Sequence, residues 1–288
     1  MGVIIFYHND LDGRCAAAIV RKRFPDGRCF EVNYNDPLPI DQIKPDDKIF
    51  IVDFTPPKDE DFDNILNVTH DLIWIDHHGR NIKEHKFYDK CIEGLRVEKT
   101  PSGAGCTWNY LFPGDPTPDA VTFTSDYDTW THAYGKMTEA FEAGMQAVDH
   151  SPTAKIWDNL LANDPEVSTQ SARDVIATGN TCLSFRKNFF KDVISKCAFK
   201  CDFEGHTIIA CNMPNVGSKL FQSLDLTDIP MVSTFYSTGK DILISLYSEG
   251  EQVDCGEIAQ KHGGGGHKGA AGFTTNILPF ENIREIEE

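Results

Sequence analysis

The chain lacks any hydrophobic run long enough to cross a membrane, and it lacks a start typical of secretion. No apolar stretch approaches the 18 or so residues that a membrane helix needs. The opening residues, Met-Gly-Val-Ile-Ile-Phe-Tyr-His, include no Lys or Arg and become polar quickly, which predicts a first strand and not a signal peptide. We therefore expect a cytoplasmic protein with no membrane partner.

The nine cysteines lack a metal-binding arrangement. No Cys-x-x-Cys pair occurs, and Cys197 and Cys201 have no second pair to complete a zinc site. Since no export signal accompanies them, we expect reduced thiols and no structural zinc.

Excess positive charge is also absent. The chain has 27 Lys and Arg against 44 Asp and Glu, a net charge of −17 over 288 residues. A protein that grips long nucleic acid mainly through its phosphates should be basic. The composition therefore predicts that any nucleic-acid substrate is short, or that positive charge is local or supplied by bound metal.

Apolar runs that alternate with amphipathic stretches make up the first half of the chain. Residues 3–7, 29–34, 48–54 and 71–75 are typical of strands, and 13–24 and 102–111 of helices. Strands and helices in this alternation predict an α/β fold with a parallel sheet.

The pattern of apolar residues changes twice in the second half of the chain. Residues 136–195 carry apolar residues at helical spacing, and short strands follow from about 196, with a hairpin signal at Thr238-Gly239-Lys240. We predict a catalytic domain at 1–135, a helical connector at 136–195, and a smaller α/β domain with a mixed sheet at 196–288.

Acidic and histidine residues follow the apolar runs of the first half. Because the carboxyl ends of parallel strands share one edge of a sheet, these side chains should lie close together. Mixed carboxylate and imidazole donors suit two Mn²⁺ ions, with Mg²⁺ or Co²⁺ as alternatives. The candidates are His8, Asp10, Asp12, Asp53, Asp76, His77, His78 and Asp126, with Asp128 as an alternative to Asp126.

A glycine-rich motif, Gly-Gly-Gly-Gly-His-Lys-Gly-Ala-Ala-Gly, occupies residues 263–272. Successive glycines let backbone amides approach a phosphate or a base edge. His267 and Lys268 could then contact phosphate, or His267 could stack on a base; a flexible turn is the alternative. The predicted substrate contacts are Gly264, Gly265, Gly266, His267 and Lys268.

Taken in order, these motifs resemble those of the DHH phosphoesterase superfamily, and the glycine motif resembles that of its C-terminal substrate-binding domain, DHHA1. The resemblance implies one metal on His8, Asp10 and Asp53 and a second on Asp12, Asp53, His77 and Asp126. It also implies catalytic roles for Asp76 and for His78, which would contact the scissile phosphate or donate a proton, and attack on phosphorus by a water that both metals activate.

Two departures from the family pattern stand out. His8 lies two residues before Asp10, where several relatives have four, and Tyr247 stands where relatives often carry an Arg. The first departure bears on the ligand role of His8, and the second bears on the identity of the substrate.

Within the superfamily, the short two-domain chain resembles the nanoRNase branch, which degrades short oligoribonucleotides to nucleoside monophosphates. A long-strand exonuclease of the RecJ type would need a further nucleic-acid-binding domain. The alternatives are a nucleotide 3′,5′-bisphosphate phosphatase, a cyclic or linear dinucleotide phosphodiesterase, or a nucleotide-binding module without activity. The expected partner is a short RNA or a small nucleotide, and a homodimer is one expected assembly.

Overall fold

The computed structural model describes residues 2–34, 36–84, 92–98, 100–248, 250 and 252–286. The chain divides into two units, Met1–Leu183 and Ser184–Glu288. No helix within the described ranges is long and apolar enough to span a membrane. The division into a catalytic domain, a connector and a smaller domain at 135 and 195 stays a prediction.

A four-stranded parallel sheet forms the centre of the first unit, in the order β2-β1-β3-β4. Three of its strands are buried apolar runs because helices and loops cover both faces. The predicted parallel α/β architecture is confirmed. The strands are β1 (Val3–His8), β2 (Arg28–Val32), β3 (Lys48–Val52) and β4 (Leu72–Ile75).

Two apolar layers flank this sheet, because successive side chains of a strand point to opposite faces. Ile5 and Phe50 belong to one layer, together with the helices α1 and α4, whereas Ile4 and Ile49 belong to the other. The helices that begin in this unit are α1 (Leu11–Arg23), α2 (Asp59–Leu66), α3 (Gly79–Glu84), α4 (Gly103–Leu111), α5 (Asp119–Asp128), α6 (Lys136–Met145), α7 (Ile156–Leu160) and α8 (Pro165–Cys197).

One apolar run of the sequence lies outside the sheet. Residues 121–123 belong to helix α5, so the acidic residues that follow project from a helix and not from the end of a strand. Asp126 and Asp128 therefore differ by about 200° in direction around the helix axis.

The second unit contains a seven-stranded mixed sheet in the order β11-β5-β6-β7-β8-β10-β9. Only the β6–β7 pair is parallel among the described pairs of this sheet. The predicted turn at 238–240 joins the antiparallel strands β7 and β8. The elements are β5 (Ala198–Phe203), β6 (His206–Asn212), β7 (Val232–Ser237), β8 (Ile242–Tyr247), α9 (Cys255–Lys261), β9 (Gly265–His267), β10 (Ala270–Thr275) and β11 (Glu281–Arg284).

Candidate metal centre

Acidic and imidazole side chains collect at the carboxyl edge of the parallel sheet. Strand β1 leads to the first motif, Asp53 follows β3, and Asp76 follows β4. The last residue of helix α5 joins them from outside the sheet. We call this group the strand-end cluster: His8, Asp10, Asp12, Asp53, Asp76, His77, His78 and Asp128.

The carboxylate of Asp12 is held by the first turn of helix α4. Its Oδ1 accepts hydrogen bonds from the Ser102 hydroxyl at 2.6 Å and the Ala104 amide at 3.1 Å, and its Oδ2 accepts one from the Gly103 amide at 2.7 Å. A helix N-terminus favours negative charge, so this contact fixes the carboxylate in one orientation. Burial nevertheless raises the pKa of Asp12.

Asp53 is the residue whose charge is least compensated. Its side chain is only 1% exposed, and neither carboxylate oxygen accepts a hydrogen bond from the part of the chain that the structure describes. Burial, together with the charges of Asp12 and Asp10, raises the pKa of Asp53 well above its ordinary value. An ionised carboxylate in this environment is unfavourable unless a cation neutralises it.

Gly103 allows helix α4 to approach Asp53 closely. A Cβ atom at Gly103 would lie 2.4 Å from the Cβ of Asp53 and 2.5 Å from its Oδ1. These separations are too short for any side chain. The sequence signal for this contact is the run of small residues after Ser102, which none of the predicted site motifs includes.

His77 lies among three carboxylates. Its Nε2 is 3.2 Å from Oδ2 of Asp128, 3.3 Å from Oδ1 of Asp53 and 3.7 Å from Oδ2 of Asp12. Burial and the charge of Asp12 raise the pKa of Asp128 to about 7. Three acidic groups around one imidazole nitrogen form a site that a divalent cation fits.

His8 and Asp10 lie beside Asp53 despite their unusual spacing. Nδ1 of His8 is 2.7 Å from Oδ2 of Asp10, and Oδ1 of Asp10 accepts the Gly13 amide at 2.9 Å. Burial opposes ionisation of Asp10, but the contacts with His8 and Gly13 prevail and lower its pKa. Ligand atoms of His8, Asp10 and Asp53 all lie within 4.8 Å of one another.

Asp76 supports His78. It is fully buried, and its Oδ1 accepts the His77 amide at 2.7 Å and lies 2.7 Å from Nδ1 of His78, while its Oδ2 accepts the Thr55 hydroxyl. Burial lowers the pKa of His78, but the hydrogen bond and charge of Asp76 prevail and raise it to about 8. Asp76 therefore orients the imidazole and favours its protonated form.

Asp126 lies outside the cluster. Its carboxylate accepts hydrogen bonds from the amides of Ala133 at 2.8 Å and Tyr134 at 3.3 Å, and from the Thr138 hydroxyl. Burial opposes ionisation, but these contacts lower the pKa of Asp126. Asp128, the alternative that the sequence offered, is therefore the residue that lies beside His77. Asp126 instead stabilises the segment after α5 through hydrogen bonds.

The glycine-rich motif folds into the hairpin of β9 and β10 in the second unit, where His267 and Lys268 are exposed. A Cβ at Gly264 would lie 2.1 Å from the carbonyl oxygen of Gly272, and one at Gly266 would lie 2.5 Å from the Cα of Ala271. Close packing of the hairpin therefore requires glycine at these two positions. Gly265 has open space around its Cα.

The strand-end cluster offers three groups of donors that suit a metal ion. Within each group the ligand atoms lie within 4.8 Å of one another. All donors are carboxylate oxygens or imidazole nitrogens, a set that suits Mn²⁺ or Mg²⁺ better than a thiophilic metal. The groups are His8, Asp10 and Asp53; Asp12, His77 and Asp128; and Asp53, His77 and His78.

Comparison with known proteins gives a family match to part of the first unit. Residues 2–124 match the model described as DHH family, N-terminal domain. An uncharacterized protein of Acanthamoeba polyphaga mimivirus is 25% identical over 230 residues, which are 76% of this chain and 52% of the viral protein. The chain thus spans about half the length of this relative.

Two solved structures share the fold. A pGpG-specific phosphodiesterase from Vibrio cholerae superposes with a TM-score of 0.53 at 12% identity, covering 96% of this chain and 93% of that one. The DHH domain of a protein from a family of ribosomal proteins superposes with a TM-score of 0.56 at 13% identity, covering 97% and 83%. At these identities the likeness concerns the fold alone.

Proposed function

We propose that this chain, whose residues 2–124 match the N-terminal domain model of the DHH family, is a metal-dependent phosphodiesterase that cleaves short oligoribonucleotides to nucleoside monophosphates. The main support for this proposal is the environment of the Asp53 carboxylate. A carboxylate that is 1% exposed, accepts no hydrogen bond from the described residues and faces other acidic groups is explained by a bound cation.

We assign two divalent ions to the strand-end cluster. His8, Asp10 and Asp53 would hold one, and Asp12, His77 and Asp128 the other, with Asp53 near both. Mn²⁺ fits this donor set, and Mg²⁺ or Co²⁺ are alternatives. Ions at these positions would neutralise charge on the phosphoryl oxygens and lower the pKa of the attacking water.

The protein's own residues would orient these ligands and move a proton. Asp12 is fixed by helix α4, so its charge needs no reorganisation when substrate binds. In the metal-free chain Asp76 raises the pKa of His78 to about 8, and a proton held on this imidazole would be donated as a hydrogen bond or transferred to a phosphate oxygen. Asp76 would be the residue that keeps His78 in place.

The net charge of −17 supports a short substrate. Each phosphate beyond the cleaved one adds repulsion from an acidic surface, and a dimer to pentamer has few of them. We propose that the exposed His267 and Lys268 of the glycine hairpin contact such a substrate, with the amide of Gly265 beside them.

A second candidate is hydrolysis of a small nucleotide, either a nucleotide 3′,5′-bisphosphate or a cyclic or linear dinucleotide. The fold likeness to a phosphodiesterase specific for pGpG, over nearly the whole chain, is the observation that favours it. By the family resemblance, Tyr247 in place of an Arg would replace a phosphate contact with a base-stacking contact. Both candidates use the same strand-end cluster.

Product analysis tests the proposal. Purified protein with Mn²⁺ would be incubated with 5′-labelled RNA dimers to pentamers, a 24-residue RNA, a linear dinucleotide and a nucleotide 3′,5′-bisphosphate. We expect rapid conversion of the short RNAs to mononucleotides, with the 24-residue strand nearly untouched. Turnover of the bisphosphate alone, or of dinucleotides without trimers to pentamers, would select the second candidate. No hydrolysis of any substrate, and no metal bound, would contradict both candidates.

A further inference from the structure

A group of three aromatic rings lies at the C-terminal end of helix α5, next to Asp128, and Trp130 is its exposed member. Trp130 is 72% exposed, which is unusual for so large an apolar side chain. Its ring stacks on that of Tyr127, with centroids 6.2 Å apart and planes at 26°, and meets the ring of His132 edge-on at 5.3 Å. We call Tyr127, Trp130 and His132 the aromatic platform.

The backbone beneath the platform adopts a conformation that bulky residues avoid. Trp130 has φ of 54° and His132 has φ of 48°. Trp130 stands two residues after the last helical residue, near the point where glycine usually ends a helix in the left-handed conformation. A glycine at this position would end α5 without this strain. The need to end the helix therefore does not explain why a tryptophan occupies position 130.

The platform is held by Asp126. The carbonyl oxygen of Asp126 accepts the amides of Thr131 at 3.1 Å and His132 at 3.3 Å, and its carboxylate accepts the amide of Ala133. These hydrogen bonds hold the backbone of the segment that carries Trp130. The exposed ring therefore projects from an ordered backbone. A ring that is already placed loses little entropy when a ligand stacks on it.

We propose that the aromatic platform binds a nucleobase of the substrate by stacking on Trp130. The Cα of Trp130 lies within about 7 Å of the Cα of Asp128, because only Thr129 lies between them. Asp128 in turn lies 3.2 Å from Nε2 of His77. A nucleotide whose phosphate lies at the strand-end cluster can therefore reach the platform with its base. This inference rests on the proposed function and names a base-recognition residue for it.

A base is the occupant that this arrangement favours. An aromatic face stacks on any nucleobase without a hydrogen-bonding code, as in proteins that bind single strands. The surrounding carboxylates disfavour an acidic partner surface, whereas a base is neutral at physiological pH. A protein segment or a second copy of the chain would bury Trp130 too, but neither would depend on a phosphate at the cluster.

Binding of two mononucleotide analogues tests this inference without turnover. Adenosine 5′-monophosphate and ribose 5-phosphate differ only by the base, and the former is a product of both candidate reactions. Their dissociation constants would be measured by calorimetry with Mn²⁺ for wild type, Trp130→Ala, Trp130→Phe and Phe185→Ala. Phe185 is 71% exposed on α8, so its replacement is a matched control.

We expect wild type to prefer adenosine monophosphate over ribose phosphate by roughly five- to a hundredfold, the range expected for one stacked base. Trp130→Ala should lose most of that preference, and Trp130→Phe and Phe185→Ala should keep it. Equal affinities in wild type, or an unchanged preference in Trp130→Ala, would overturn the inference. If the preference depends on Trp130 but no phosphoester is cleaved, the proposed function fails and the base site stands.

Discussion

Oδ2 of Asp128 lies 3.2 Å from Nε2 of His77, whereas Asp126, two residues earlier in helix α5, directs its carboxylate to the amides of Ala133 and Tyr134. A step of two residues turns a helix by about 200°, so the two carboxylates cannot serve the same site. One carboxylate joins the strand-end cluster, and the other fixes the segment that follows the helix.

Replacement of these two aspartates should have different consequences. Asp128→Asn should reduce the metal bound per chain from two ions to one, with little change in folding. Asp126→Asn should keep both ions but lower the free energy of unfolding by about 1–3 kcal/mol, because it weakens charge-assisted hydrogen bonds. Metal analysis and urea unfolding measure the two effects. Loss of metal in Asp126→Asn, with full metal in Asp128→Asn, would reverse the assignment.

Gly103→Ala should weaken metal binding, and with it activity, without replacing any proposed ligand. The added methyl group would lie 2.4 Å from the Cβ of Asp53, so Asp53 or the start of helix α4 must move. We expect metal affinity to fall at least tenfold, as for loss of a residue that orients a ligand. Gly217→Ala is the control, because a Cβ there meets no atom within 4 Å. Calorimetric titration with Mn²⁺ compares both variants, and unchanged affinity in Gly103→Ala would contradict this reading of the cluster.

The ion pair of Asp202 and Arg284 should make the stability of the folded chain depend on pH, and neither residue belongs to the proposed metal centre. A hydrogen bond from Arg284, at 3.0 Å, is the main cause that lowers the pKa of Asp202 to about 2. Since the folded pKa lies below the ordinary value of about 3.9, the stabilising effect is present above about pH 4 and is lost as the pH falls towards 2.

The variant Arg284→Gln should raise the pKa of Asp202 towards its ordinary value. The carboxyl chemical shift of Asp202, followed by NMR against pH, measures the change. Lys261→Gln is the control, because Lys261 contacts Glu204 at 3.2 Å and not Asp202. A pKa of Asp202 that stays near 2 in Arg284→Gln would show that Thr207 and Asn282 suffice to lower it.

His267→Ala should weaken substrate binding and leave the metal centre intact. His267 is exposed on strand β9 and lies in the second unit, away from every proposed ligand in sequence. We expect KM for a short RNA to rise about tenfold with bound Mn²⁺ unchanged. The exposed His70 of the first unit provides the control, as His70→Ala. An unchanged KM in His267→Ala would remove the glycine hairpin from the substrate site.

Much of the fold could be predicted because buried parallel strands appear in the sequence as continuous apolar runs. The runs before Asp53 and Asp76 are continuous and apolar, so their ends, and the shared edge at which the acids meet, followed from the topology of parallel sheets. The helix predicted at 102–111 is observed as α4, Gly103–Leu111.

The rest depended on contacts that a sequence pattern does not encode. The run at 121–123 is too short to distinguish strand from helix, so the choice between Asp126 and Asp128 stayed open. The approach of Gly103 to Asp53 joins positions 50 residues apart and is set by how α4 packs. The left-handed backbone at Trp130 is likewise a tertiary outcome, since nothing in its local sequence favours it.

The most direct test of the account is calorimetric titration of wild type and Asp53→Asn with Mn²⁺, with thermal unfolding of both proteins in the metal-free state. We predict two ions per chain in wild type and a loss of high-affinity binding in Asp53→Asn. Since burial raises the pKa of Asp53, its ionised form opposes folding at neutral pH, and the metal-free Asp53→Asn protein should unfold at a higher temperature than wild type. Wild type that binds no Mn²⁺, or Asp53→Asn that binds as wild type does, would contradict the assignment of the strand-end cluster as a metal centre.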